Sequence, residues 1–328
     1  MLAVLIIPAY SCRETITFDS FGGFAQGTTY SIVFGNNGTI DPQNLKSDVE
    51  KILKEFDLSL SLYVDSSILS KVNRNENVMV DRYFTEAFLL SADISDLTGG
   101  AFDITIGPLV KAWGFGPDDY RNFSESKLDS LLNLVGMGKI SLENGRLVKT
   151  NPSISLDFNA IAQGYSVDVV AEFLDSKGIK SYLVEIGGEV KAKGDKNGVL
   201  WRIGIDRPED NNNMPGNNLQ AIISIKDRSL ATSGNYRKFY VENGVKYSHT
   251  IDPVTGYPAR NTLLSATILA EDCATADGLA TACMVMGKDR TMEFLGEHPG
   301  YDAFLVYSDE SGNFMTWSTE NLKKFISR

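Results

Sequence analysis

Apolar residues recur at the helical interval through 45–61, where Val49, Ile52, Leu53, Phe56 and Leu60 share one face. The same reading predicts helices over 82–97, ending at Gly99-Gly100, and over roughly 125–135, 160–177, 274–286 and 288–296. Strands fit 28–34, 199–205, 219–226, 263–270 and 302–308. Two stretches, ISLENGRLVKT (140–150) and KFYVENGVKYSHTID (238–252), set Asn144-Gly145 and Asn243-Gly244 between alternating runs, the pattern of a tight hairpin. The polar, Pro- and Gly-containing stretches 115–126 and 207–218 read as loops. Hairpins interspersed with helices predict an α+β fold with mixed or antiparallel sheets rather than a regular parallel one. No G-x-G-x-x-G follows a predicted strand, so the common dinucleotide-binding fold is not supported.

Composition narrows the picture. The chain has 328 residues, 43% hydrophobic and 22% charged, which is the make-up of a globular protein. A formal net charge of −11 argues against nucleic acid as a partner, because phosphate backbones need a basic surface. Leu2–Ile7 is continuously apolar and is followed by small residues before Cys12, resembling the end of a bacterial lipoprotein signal. The expectation is an exported protein on the periplasmic side of the inner membrane, lipid-anchored at Cys12, with 1–12 a signal remnant and 13–328 one domain. A buried N-terminal strand is the alternative. Cys273 and Cys283 stand ten residues apart in one predicted helix, ~15 Å along its axis, too far for a disulfide, so core thiols are expected.

Several segments combine features that suit chemistry. Asp277 and Thr281, in EDCATADGLATACMVMG, are four apart and project from one face of a helix otherwise built of small and apolar residues. Together they offer a carboxylate and a hydroxyl to a hard cation, although an Asp near a helix start and a Thr bonded back one turn would look the same. In SLDFNAIAQGYSVD (155–168) a strand is expected to end near Asp157 and a helix to begin near Asn159 or Ala160. That terminus could hold phosphate or flavin oxygens, or Asp157 and Asn159 could simply cap it. TGGAFDITIGPLVKAWGFG (98–116) is glycine-rich. Its Trp113 and Phe115 suit stacking on a ring system or core packing, and its Asp103 sits among apolar neighbours. SLATSGNY (229–236) sets hydroxyls at a strand end. In YSHTIDPVTGYP (247–258) His249 precedes a polar turn and is a candidate general base, while His298 reads as a surface residue.

These blocks, with GTTYSIVF, LSLYVDSSILSKVN and LVEIGGEVKAKG, occur in an order that resembles the ApbE family of flavin transferases, from Gly27 to Gly287. The resemblance implies a two-lobed single domain with a flavin cleft, and FAD held with Mg²⁺ at its pyrophosphate. It places metal ligands at Asp277, Thr281 and the Ala160 backbone carbonyl. It places FAD contacts at Gln26, Tyr63, Ala101, Phe102, Asp103, Asp157 and Gln163, and a catalytic base at His249. Gln163 stands where many members have Lys, and Gln26 where Met is common. The implied reaction moves FMN from FAD to a Thr or Ser hydroxyl of an acceptor flavoprotein, a subunit of a membrane redox complex or an exported reductase, and releases AMP. A Mg²⁺-dependent FAD pyrophosphatase and a non-catalytic FAD-binding lipoprotein are the alternatives.

Overall fold

The computed structural model describes residues 16–116, 123–209, 216–235, 239–242 and 245–327. Cys12 and its apolar run, and the Asn243-Gly244 turn, lie outside the described residues. The strands are β1 (Thr17–Ala25), β2 (Thr28–Asn36), β3 (Ile140–Glu143), β4 (Arg146–Lys149), β5 (Tyr182–Ile186), β6 (Glu189–Lys193), β7 (Trp201–Asp206), β8 (Leu219–Ile225), β9 (Arg228–Gly234), β10 (Phe239–Glu242), β11 (Val245–Ser248), β12 (Leu263–Ala270), β13 (Asp302–Ser308), β14 (Phe314–Ser318) and β15 (Ile326–Ser327). The helices are α1 (Pro42–Leu60), α2 (Ile68–Asn73), α3 (Arg82–Leu97), α4 (Gly107–Trp113), α5 (Leu128–Leu132), α6 (Ala162–Ser176) and α7 (Cys273–Glu297). Among the described residues no helix is long and apolar enough to cross a membrane.

An eight-stranded sheet in the order β1-β2-β5-β6-β9-β12-β13-β14 forms the centre, and each neighbouring pair is antiparallel. α1, α6 and α7 cover one face. Leu45, Val49 and Leu53 of α1 and Val167, Val170 and Leu174 of α6 pack there on Ile32, Phe34 and Val184 of the sheet. The opposite face carries the small sheet β15-β8-β7 through Trp201, Ile223 and Ile225 against Val190, Leu230 and Val306. Alternation along the strands accounts for both layers, since successive side chains leave opposite faces. α2, α3 and the α7 end of the core form a second hydrophobic body around Leu69, Phe84, Phe158 and Leu279.

Local signals set the helix ends. Asp41 and Asp81 cap α1 and α3, accepting from Gln43 N and Phe84 N respectively. The expected break between 286 and 288 is present. Gly287 has φ +75°, a backbone state that glycine adopts without a Cβ penalty, and Asn261 Nδ2 donates to Met284 O at 2.9 Å, satisfying a carbonyl at the break. Two expectations change. α6 begins at Ala162 rather than at Asn159 or Ala160, because Asp157 to Ile161 are used in turns first. No strand runs up to Asp157. That segment is extended but unpaired in any sheet, and its amide bonds Ile104 O at 2.8 Å.

Candidate active site between α6 and α7

The contact between α6 and α7 is unusually close. A Cβ on Gly164 would lie 2.4 Å from Cys273 O and 2.7 Å from Asp277 Cβ, so no side chain fits there. On the other side of α7, Gly278 lets Ile94 approach to 2.7 Å of its Cβ position and Phe102 to 3.6 Å. The small residues of α7 therefore bring its backbone against α6 and against the 98–106 loop at the level of Asp277.

Asp277 is buried, and its Oδ2 accepts from Gly164 N at 3.0 Å. In a ladder continued back from α6, Gly164 N would bond Ala160 O; the next amide, Tyr165 N, does follow that rule to Ile161 O at 2.9 Å. Asp277 thus takes the position that the Ala160 carbonyl would otherwise fill. Burial pushes the Asp277 carboxyl up to about 7, and the single amide from Gly164 only partly opposes it. One turn on, Thr281 Oγ1 lies 3.2 Å from Ser233 Oγ at the end of β9, not back-bonded within its helix. A carboxylate, a hydroxyl and a backbone carbonyl are hard-oxygen donors, the kind that could hold Mg²⁺.

The other candidate residues lie on the turns and loops next to α6 and α1. Gln26 and Gly27 form the two-residue turn of the β1–β2 hairpin with φ of +53° and +73°. That turn lays the Gln26 amide on the first turn of α6, where Ser166 Oγ is 3.1 Å from Gln26 Oε1 and 2.7 Å from Gln163 O. Gln163 points to the β5–β6 turn, its Nε2 lying 2.2 Å from where a Gly187 Cβ would stand. Asp157 is buried, accepts from Asn159 N at 2.8 Å, and is tied by its own amide to the 98–106 loop through Ile104 O. It caps a turn before α6 rather than the helix itself. Tyr63, between α1 and α2, is 66% exposed.

Four residues of the 98–116 block are committed to the protein itself. Ala101 and Phe102 have buried side chains within the core, so only their backbones could meet a ligand. Asp103 has partners after all: Oδ1 accepts from Thr105 N at 2.7 Å and Thr105 Oγ1 at 2.6 Å, and Oδ2 from Met137 N at 3.1 Å. Burial still raises its carboxyl above the usual range, opposed by those bonds. Trp113 stacks on Phe123 at 3.9 Å between centroids, and its Nε1 donates to Gly256 O at 2.8 Å. It is a core residue, not a free stacking platform.

That Trp113 bond holds the turn that follows His249 in sequence. The segment between β9 and β12 leaves the sheet at Gly234 and returns in β12, where Ser265 pairs with Gly234 and Ala266 with Ser233, and it carries β10, β11 and His249. His249 is partly exposed, and the turn that follows it is held by Asp252, whose oxygens accept from Val254 N and Thr255 Oγ1 at 2.9 Å each. The other histidine is occupied elsewhere: His298 stacks on Phe294 at 4.3 Å with Nδ1 2.8 Å from Phe294 O at the end of α7.

Comparison with known proteins identifies the family and the fold. The model of the ApbE family matches residues 26–305. The chain belongs to the ApbE family. Its relatives include FAD:protein FMN transferases from Vibrio cholerae, 35% identical with 100% of this chain and 98% of the relative covered, and from Haemophilus influenzae, 34% identical with 96% and 93% covered. The solved flavin transferase ApbE from Vibrio cholerae superposes with a TM-score of 0.84 at 35% identity, covering 94% of this chain and 99% of that one. The apo form of the Pseudomonas stutzeri flavinyl transferase ApbE gives 0.84 at 33% identity, with 94% and 97% covered. The α+β architecture is thus that of the ApbE flavin transferases.

Sequence reasoning missed the Gly164 amide as the partner of Asp277 and Ser166 as the link between Gln26 and Gln163. The glycine four residues after Ala160 is the one local signal for the first. Cys273 and Cys283 are buried free thiols, as expected.

Proposed function

We propose that this ApbE chain transfers FMN from FAD to a Thr or Ser hydroxyl of an acceptor flavoprotein in a Mg²⁺-dependent reaction that releases AMP. The observation that carries the reading is Asp277: a buried carboxylate whose hydrogen-bond partner among the described residues is the Gly164 amide, next to the Ala160 carbonyl that this amide would otherwise bond. Such a group is costly unless a cation joins it. Asp277, Thr281 and the Ala160 carbonyl would hold Mg²⁺, which supplies charge neutralisation at the pyrophosphate when bound. The relatives named FAD:protein FMN transferases support the same chemistry.

The chain's own residues then have distinct tasks. The backbone at Ala101 and Phe102, with Tyr63, Asp157, Gln26 and Gln163, orients the FMN half of FAD. His249 accepts the proton of the acceptor hydroxyl as its oxygen bonds to the FMN phosphorus. The bond from that phosphorus to the bridging oxygen breaks, and AMP leaves with the electron pair. The product is FMN in phosphoester linkage to the acceptor. Acceptors of membrane redox complexes or exported reductases, and anchoring of the protein outside the inner membrane through Cys12, belong to the same proposal and rest on the sequence segment Leu2–Cys12 and the family resemblance.

Incubating the protein with FAD, Mg²⁺ and a candidate acceptor domain tests the reading. Flavin fluorescence that stays with the acceptor through denaturing electrophoresis is the expected result. Release of free FMN and AMP alone, with acceptor present, would show a pyrophosphatase instead, an outcome to which the uncharged Gln163 draws attention.

A further inference from the structure

α6 and α7 are joined at a second point, one helical turn from the first. Asp168, four residues after Gly164, directs Oδ2 at the first amides of α7 and accepts from Cys273 N and Ala274 N at 2.8 Å each. Cys273 in turn precedes Asp277 by four. Each helix therefore offers a backbone N–H to the other's carboxylate: Gly164 N to Asp277, and Cys273 N and Ala274 N to Asp168. The two links run in opposite directions one turn apart, which fixes both the separation of the helices and their axial register. Asp168 is itself held from the sheet, since Lys191 Nζ of β6 donates to its Oδ1 at 2.6 Å. Their side chains retain 16% and 24% of their exposure, so the pair is partly shielded from water. Asp272 satisfies the remaining early amide, accepting from Thr275 N at 2.7 Å. α7 thus starts from three amides satisfied by two carboxylates, one of them borrowed from α6.

We propose that Asp168, anchored by Lys191, is a positioning residue for the metal site. It sets α7 against α6 so that Asp277 and Thr281 meet the Ala160 backbone, without itself touching metal or flavin. This rests on the metal reading of Asp277. Second partners of this kind ordinarily tune metal affinity by about 10–100-fold without supplying a ligand. Loss of Asp168 leaves two amides of α7 unsatisfied and Lys191 without its carboxylate, and removes one of the two points that fix register.

The test uses the full chain and Mg²⁺ alone, titrated calorimetrically at a temperature where each variant is folded by circular dichroism. Asp168→Asn keeps the shape of the side chain but presents an NH₂ to Lys191 or to the amides. Its Mg²⁺ affinity is expected to fall about tenfold or more, with exchange of the Cys273 and Ala274 amide hydrogens accelerated whether or not metal is present. Turnover at saturating Mg²⁺ should recover towards the parent, so that the loss falls on the Mg²⁺ concentration needed and not on kcat. A folded Asp168→Asn with the parent's Mg²⁺ affinity would overturn the proposal, even if its melting temperature fell, since that is all a purely structural role would show. Should the Asp168 variant not fold, Lys191→Met leaves Asp168 and its two amides in place; weaker Mg²⁺ binding supports the proposal and unchanged binding overturns it. Asp277→Ala separates the two readings. If it abolishes Mg²⁺ binding while the Asp168 and Lys191 variants bind normally, only the positioning role falls. If it binds Mg²⁺ as the parent does, the metal reading falls and the positioning role with it.

Discussion

Asp277 Oδ2 accepts the Gly164 amide at 3.0 Å, and with that one bond a carboxylate on α7 replaces the backbone carbonyl that would have closed the first turn of α6. The bond is too weak a compensation for burial, and the Asp277 carboxyl sits at about 7 instead of 3.8. A raised carboxylate means that the folded state binds the proton more tightly than the unfolded chain. Folding is therefore penalised as pH rises from about 4, and the full penalty is present above about 7. Asp277→Asn removes the charge while keeping an acceptor for Gly164 N. In metal-free protein it is expected to raise stability by about 1–3 kcal/mol at pH 8, the range for relieving an uncompensated buried polar group, with the gain vanishing towards pH 4. Urea unfolding at both pH values measures it. Equal stability of the two proteins at pH 8 would remove Asp277 from the list of strained groups.

The same protonation links metal uptake to pH. A cation binds the carboxylate, so below pH 7 it must displace a proton, and the apparent affinity should fall by about tenfold per pH unit there. Above pH 8 the dependence should flatten. Calorimetric titration of Mg²⁺ at pH 6.5 in two buffers of different ionisation enthalpy should reveal proton release, reduced at pH 8.5. An affinity independent of pH from 6 to 8 would count against Asp277 as the ligand.

Much of this was legible in the sequence because the periodic signals are local. Val49 to Leu60 give α1, the apolar run of 263–270 gives β12, and Gly287 separates the two halves of α7. Helical spacing puts Asp277 and Thr281 on one face of α7, and only the family resemblance gave that face a role. What stayed hidden depends on tertiary approach. Asp103 looked unpartnered because Met137 reaches it from 34 residues away, and Trp113 looked like a possible stacking surface because Gly256 lies 143 residues off. The strand β5 escaped periodicity because it packs on both faces, Val184 against the helices and Leu183 towards the small sheet, which blurs a two-residue alternation.

The bond from Trp113 Nε1 to Gly256 O anchors the turn after His249 to α4. Trp113→Phe keeps an aromatic against Phe123 but leaves a buried carbonyl without its donor, a cost of about 1–3 kcal/mol. If that turn aims His249, kcat should fall while Mg²⁺ affinity, set at α6 and α7, stays near the parent value. His249→Ala should slow transfer about 10²–10⁴-fold, the usual contribution of a general base, with FAD binding largely retained. Single-turnover transfer and FAD titration in each variant check both expectations. Lost FAD binding with intact chemistry in His249→Ala would remove it from the proton-accepting role.

Gly164 gives the sharpest test of how closely the two helices approach, because two opposing effects predict opposite signs. Alanine is the better helix former by ~1 kcal/mol, so at an unconstrained site Gly→Ala stabilises. At Gly164 the new methyl would meet Cys273 O at 2.4 Å, the Cys273 carbonyl carbon at 2.8 Å and Asp277 Cβ at 2.7 Å. Two of those are backbone atoms of α7 that cannot turn aside, so the helices must separate. Overpacking of this kind costs ~1–3 kcal/mol and outweighs the propensity gain. Gly296, in the second half of α7 with nothing within 4 Å of its Cβ position, is the matched control. Gly296→Ala is expected to be neutral to stabilising with parental Mg²⁺ affinity. Gly164→Ala is expected to melt several degrees lower and to bind Mg²⁺ more weakly, since the separation carries Asp277 away from Ala160. Chemical unfolding and Mg²⁺ titration of the two variants side by side decide it. A Gly164→Ala protein as stable as Gly296→Ala would mean that the helices do not touch there, and the geometry argued for the metal ligands would fail with it.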